Sequence, residues 1–411
     1  MRNESNVSND ILSNESKLSY AQPLDVVCFG CADWWYHNRG HVDMQLMRRF
    51  ARNGKVLYVN SVVVQKPKLG EGSKLFRKVT RKVKSILKGL QPSGEGFWVY
   101  SPFTLPMHHI RWARALNQLL LRIQINNAVR RLHILNPVVW VACPTACDTS
   151  IRLRKSKLVW QVTDRWDEYP NIDADMIREY DERLKAVADL TVFASSLLYQ
   201  QEQWRCKKAF YLDHGVDYES FANAHKEQYI PQEMKQIQHP ILGFYGGIDD
   251  HTSDIPLVEK LADLLSDFSI VLIGNSSVDL SVLASRKNVY LFGQKPYGQI
   301  PHYVKCFDVC FMPWRQNSWI EACNPVKLKE YLASGKPIVS TPFSELEHYE
   351  GLVHVASDAQ SFAEAVRQAC QEEDPKLVSA RRERVRNCTW DAKAEQATRA
   401  LFESNQRSVE S

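Results

Sequence analysis

From Leu24 onward this chain alternates short apolar runs with segments whose apolar residues recur at helical spacing. A run of four to six apolar residues is long enough for a strand buried on both faces and too short for a core helix. Such runs, separated by helices, are the pattern of a doubly wound parallel sheet. Strands are expected near 24–30, 55–60, 97–101, 137–143, 158–162, 189–194 and 208–213, and again near 241–245, 269–273, 288–292, 308–312, 337–340 and 352–355. A chain of 411 residues, 44% hydrophobic and 24% charged, can bury two cores of this kind. The expected fold class is therefore α/β, with two Rossmann-like domains facing across a cleft. Residues 1–22 read as a disordered tail and 23–222 as the first domain. The polar stretch 223–238 reads as a linker, 239–385 as the second domain, and 386–411 as a C-terminal helix that crosses back to the first.

The two halves differ in charge. Residues 1–238 carry 34 Lys+Arg against 24 Asp+Glu, while 239–411 carry 18 against 23. The positive half is the one expected to meet an anionic surface. Its excess concentrates in 66–90, where nine Lys/Arg accompany one acid and Leu75, Phe76, Val79, Val83, Ile86, Leu87 and Leu90 recur at helical spacing. A basic amphipathic helix of this kind suits an anionic membrane face. Nucleic acid is not expected as a partner, because no interleaved aromatic platform or reading module accompanies the charge. The ten cysteines give no metal or disulfide pattern: Cys28-Phe-Gly-Cys31 lacks a matching second pair, and they read as reduced thiols. With no apolar run of about 18 residues and a polar N-terminus, the expected location is the cytoplasm, peripheral on the inner membrane face.

The chemistry concentrates in Asn324-Pro-Val-Lys-Leu-Lys-Glu-Tyr-Leu-Ala-Ser-Gly-Lys-Pro-Ile-Val339. Asn324 suits an N-cap, Pro325 the first helical position, and Gly335 a left-handed C-terminal stop. The N-terminus of such a helix attracts an anion, and Lys327 adds a full charge in the first turn. Glu330, three residues on, lies on the same face and can accept from sugar hydroxyls. Together they describe a nucleotide-diphosphate site.

This stretch resembles the nucleotide-sugar helix of bacterial GT-B glycosyltransferases of group 1, with its "NPxKLxEYLAxGKPVV" pattern. Other segments follow the family in order: Trp160-Gln-Val-Thr-Asp-Arg-Trp-Asp-Glu-Tyr169, Ala188-Asp-Leu-Thr-Val-Phe-Ala-Ser-Ser196, His214-Gly-Val-Asp217 and Gly243-Phe-Tyr-Gly-Gly247. The resemblance implies a metal-independent transfer of a sugar from a nucleotide-diphosphate sugar to a glycan or lipid-linked acceptor in cell-surface polysaccharide synthesis, with no cofactor. It places Gly246, Gly247, Asn324 and Lys327 around the diphosphate, Glu330 on the ribose and Tyr297 beside the base. On the acceptor side it points to Asp33 and Arg165 as binding residues. Asp164, His37 and Arg39 are the candidate catalytic groups: Asp164 or His37 as a base, Arg39 as a phosphate clamp. Two features depart from the family. No Arg or Lys follows Gly247 in Ile248-Asp-Asp-His-Thr-Ser253, and the first of the family's paired glutamates falls on Ala322. The other readings these residues allow are a sugar-nucleotide 2-epimerase and a scaffold without catalysis.

Overall fold

The computed structural model describes residues 23–37, 40–61, 72–105, 111–170 and 172–403. The tail 1–22, the segment 62–71 at the start of the basic patch, and Arg39 lie outside the described residues.

The expected α/β architecture is present as two sheets. The first contains β1 (Val26–Phe29), β2 (Val56–Val59), β3 (Leu90–Pro92), β4 (Trp98–Tyr100), β5 (Val138–Val141), β6 (Lys157–Val162), β7 (Leu190–Phe193) and β8 (Ala209–Tyr211), ordered β3-β4-β2-β1-β5-β6-β7-β8. All its pairs are parallel except β3–β4. The second contains β9 (Ile241–Tyr245), β10 (Ser269–Ile273), β11 (Val289–Gly293), β12 (Val309–Met312), β13 (Ile338–Ser340) and β14 (His354–Val355), ordered β11-β10-β9-β12-β13-β14 and wholly parallel. The strand β3 has no counterpart in the sequence reading, because Leu90-Gln-Pro92 is short and contains proline; an edge position tolerates both.

Side-chain alternation shows why continuous apolar runs were needed. Val26 and Cys28 enter one core and Val27 and Phe29 another, so β1 is buried on both faces. The strand order reverses between β1 and β5 in one sheet and between β9 and β12 in the other. Ligands of doubly wound sheets bind outside the carboxyl ends of the strands at these switch points.

The helix Trp390–Phe402 lies on the first domain, where Trp390, Ala394, Ala397 and Leu401 join the core that holds Val26 and Trp140. A charged knot ties it to both domains. Asp213 accepts from Lys329 and Lys393, and Lys329 also donates to His214 O at 2.6 Å. Burial pushes the Asp213 carboxyl up, but the two ammonium groups outweigh it and hold the pKa at about 2.

Candidate functional site

The helix Val326–Ser334 opens into the space between the domains. Gly335 closes it with φ of 79°, in the left-handed conformation the glycine was expected to supply. Its start differs from expectation. Pro325 is the N-cap residue, and Asn324 does not cap. Instead Asn324 is buried and its Nδ2 donates to Ala194 O at 2.7 Å, across the domain boundary. Proline at the cap offers no side-chain acceptor to the first-turn N–H groups. Val326 packs against the first domain's core.

Lys327 projects from that first turn. Its Nζ stands over the rings of Phe244, at 4.4 Å, and Trp314, at 4.8 Å. It is paired with no carboxylate within ion-pair distance among the described residues, and loss of hydration lowers its pKa to about 8. Gly246 lies directly against it. With φ of 149° and no room for a Cβ, which would strike the Lys327 ammonium, only glycine fits there. Gly247 is open to the cleft. Gly246→Ala is therefore expected to cost about 1–3 kcal/mol in stability through backbone strain and to displace Lys327. Thermal denaturation beside nucleotide titration would check both effects.

Asp164 follows β6 at its carboxyl end. Its carboxyl makes no ion pair among the described residues, and desolvation raises its pKa to about 7. Cys323, at the start of the donor loop, lies within electrostatic reach of both the Asp164 carboxyl and the Lys327 ammonium. Beside Asp164 opens a cavity of about 320 Å³, lined also by Arg165, Trp166, Asp167, Arg178 and Gln201. Arg165 donates to Gln201 Oε1 at 2.7 Å on its wall.

Other predicted residues are otherwise engaged. Asp33 accepts from Trp35 N at 3.0 Å, Asn60 Nδ2 at 3.3 Å and Ser85 Oγ at 2.7 Å, so its oxygens are spent on holding its own loop rather than offered to an acceptor. His37 stacks edge-on to His41 with ring centroids 4.2 Å apart, and burial followed by the His41 charge lowers its pKa to about 3. So weak a base is poorly matched to proton abstraction near neutrality. Glu330 is buried, and its two oxygens accept from Tyr245 Oη and from Tyr297 Oη, the latter at 2.6 Å. Tyr297 thus closes over the glutamate expected to take a ribose.

Three residues that sequence reasoning missed complete the cleft. Phe244 and Trp314 form the aromatic seat of Lys327, and both stand at strand ends beside the second switch point, the position that could have flagged them. His251 comes from the segment that lacks the family's basic residue. Asp249 shapes that turn by accepting from His251 N and Thr252 N. The His251 ring meets Trp319 at 5.3 Å and Tyr169 of the first domain at 6.4 Å, and its Nε2 is buried with no hydrogen-bond partner among the described residues.

Residues 239–372 match the family model described as "Glycosyl transferases group 1". The chain is 28% identical over 174 residues to the putative teichuronic acid biosynthesis glycosyltransferase TuaH of Bacillus subtilis (strain 168), a match spanning 40% of this chain and 43% of that protein. It thus aligns with less than half of that relative's length. The structure superposes on Anabaena Alr3699/HepE, crystallised in complex with UDP and glucose, with a TM-score of 0.65 over 93% of this chain and all of that one, at 12% identity. It also superposes on sucrose-phosphate synthase of Thermosynechococcus elongatus, with a TM-score of 0.64 over 92% and 98% of the two chains at 15% identity. The fold is GT-B.

Proposed function

We propose that this chain, whose residues 239–372 match the group 1 glycosyl transferases, is a member of that family and moves a sugar from a nucleotide-diphosphate sugar to a glycan or lipid-linked acceptor of the cell surface. The observation that carries this reading is Lys327: a partly buried ammonium without an ion-pair partner among the described residues, set between the bare backbone of Gly246 and the first turn of a helix. Those three features together meet a diphosphate. The teichuronic acid role assigned to the Bacillus relative supports a polysaccharide product, and the UDP held by HepE supports a nucleotide donor.

In this reading the leaving diphosphate is stabilised by Lys327, the helix end and the His251 ring, with no metal in the step. The ribose hydroxyls take the place of Tyr297 Oη on Glu330. The acceptor enters the cavity beside Asp164, held by Arg165 and Gln201. Asp164 takes the proton from the attacking hydroxyl.

The acceptor side also carries an unusual surface. On the helix Arg111–Arg131, Trp112, Leu116, Leu119 and Ile123 recur at spacings of four, three and four and are 60%, 38%, 45% and 49% exposed. On the helix Gly72–Lys88, Leu87 is 79% exposed while Ser85 is buried, so its apolar side does not all pack inward. No helix among the described residues is long and apolar enough to cross a membrane. Apolar side chains set among basic ones fit a surface contact with anionic lipid, from which a lipid-linked acceptor would be presented. Trp112→Glu combined with Leu119→Glu is expected to abolish co-sedimentation with phosphatidylglycerol vesicles while leaving donor binding unchanged.

A donor screen tests the main reading. Purified protein is incubated with UDP-, GDP- and dTDP-sugars, following thermal stabilisation and nucleotide release. Stabilisation by one nucleotide class, lost in Lys327→Ala and Glu330→Ala, is the expected result; absence of nucleotide binding at millimolar concentration would refute it.

A further inference from the structure

At the carboxyl end of β1, three side chains with metal-binding chemistry converge. Cys31 Sγ lies 3.1 Å from His41 Nδ1 and 3.5 Å from Asp43 Oδ1, and the three donor atoms are all within 4.8 Å of one another. Zinc bonds of about 2.0–2.3 Å at tetrahedral angles put neighbouring donors about 3.5 Å apart. The two spacings from the sulfur, 3.1 and 3.5 Å, lie near that edge length.

The surroundings orient the set as the outer shell of a metal site does. Asp43 Oδ2 accepts from Tyr58 Oη at 2.8 Å and from Cys31 N at 3.0 Å, which leaves Oδ1 turned to the sulfur. Asp43 and Tyr58 are both fully buried. A Cβ on Gly30 would strike the Tyr58 hydroxyl, so the glycine preserves the space that hydroxyl occupies. His41 stands at the N-cap of the helix Val42–Phe50 without capping it, which frees its ring for Cys31. The cluster is hidden in the sequence because Cys31, His41 and Asp43 follow none of the paired spacings of structural zinc motifs.

The geometry points to a site for a divalent transition metal at Cys31, His41 and Asp43, with zinc fitting the mixed sulfur, nitrogen and oxygen donors and a water completing the tetrahedron. On binding, the Cys31 thiol gives up its proton to solvent and the resulting thiolate bonds the metal. The ion joins both ends of the 31–43 loop to the end of β1, beside the first domain's switch point. Its role is to hold that wall of the cleft.

The test uses the full-length chain, stripped with a chelator under reducing conditions and titrated with Co²⁺, then with Zn²⁺. One equivalent of Co²⁺ is expected, with a thiolate-to-cobalt charge-transfer absorption that Zn²⁺ displaces. Cys31→Ser removes the charge-transfer band, and His41→Gln and Asp43→Asn each weaken binding. Tyr58→Phe weakens it about ten-fold through Asp43, and the remote Cys206→Ser leaves it intact. Circular dichroism establishes that each variant is folded. A folded wild-type protein that takes up no stoichiometric Co²⁺ would overturn the site, as would a charge-transfer band that survives in Cys31→Ser. Neither readout involves sugar transfer.

Discussion

Lys327→Ala is expected to weaken nucleotide-diphosphate binding by about 1.5–3 kcal/mol, roughly ten- to hundred-fold in Kd, without unfolding the protein. The side chain makes no ion pair among the described residues, so its removal orphans no carboxylate; what it gives up is the contact over Phe244 and Trp314. The loss should therefore appear in the bound state. The same residue sets a pH dependence. Its pKa is lowered to about 8 by burial, and an arriving diphosphate raises it. Below pH 8 the ammonium is charged before and after binding, so affinity is flat. Above pH 8 binding must take up a proton, and affinity falls towards ten-fold per pH unit. Calorimetry of nucleoside diphosphate binding from pH 6.5 to 9.5 would show this bend in the wild type and a profile without it in Lys327→Met.

Asp164→Asn is expected to lower kcat by about 10²–10⁴ while nucleotide affinity stays within about two-fold. The carboxyl belongs to the first domain's cavity, and its pKa, about 7, matches a proton acceptor at neutral pH. Activity in the wild type should rise as pH passes through 7, because only the ionised carboxylate takes a proton, and the asparagine variant should lose that limb. A raised carboxyl pKa also has a cost. An Asp whose folded pKa lies above its unfolded value destabilises the fold once pH exceeds the unfolded value, and the penalty grows until pH passes the folded one. Asp164→Asn should thus melt slightly higher than wild type at pH 8, by the order of 1 kcal/mol after allowing for its partial exposure to solvent. Loss of activity with a gain in stability separates a chemical role from a structural one.

The residues that could be read from the sequence were those whose role is local. Buried parallel strands declare themselves as apolar runs, and Gly335 declares a helix end because few other residues adopt φ of 79°. The placement of Lys327 and Gly246 was legible for the same reason: a first-turn cation and a glycine after a strand are set by a few residues of chain. What was misread depends on contacts across the fold. Asn324 looked like a cap, but a partner 130 residues away, Ala194 O, takes its amide. Asp33 was expected to bind the acceptor, but Ser85 from a distant helix closes on it. His251 was passed over because its segment was read for missing positive charge, whereas its placement comes from Trp319 and Tyr169 on other elements.

Glycosyl transfer requires that the sugar leave its nucleotide for another molecule. The most direct measurement supplies nucleotide sugar labelled in the sugar, together with acceptor-bearing membranes, and follows label and nucleoside diphosphate in parallel. Label is expected to move into a lipid-linked or polymeric fraction with an equimolar release of nucleoside diphosphate, and Asp164→Asn to stop both. Label that stays on the nucleotide while the sugar is converted in place would contradict it.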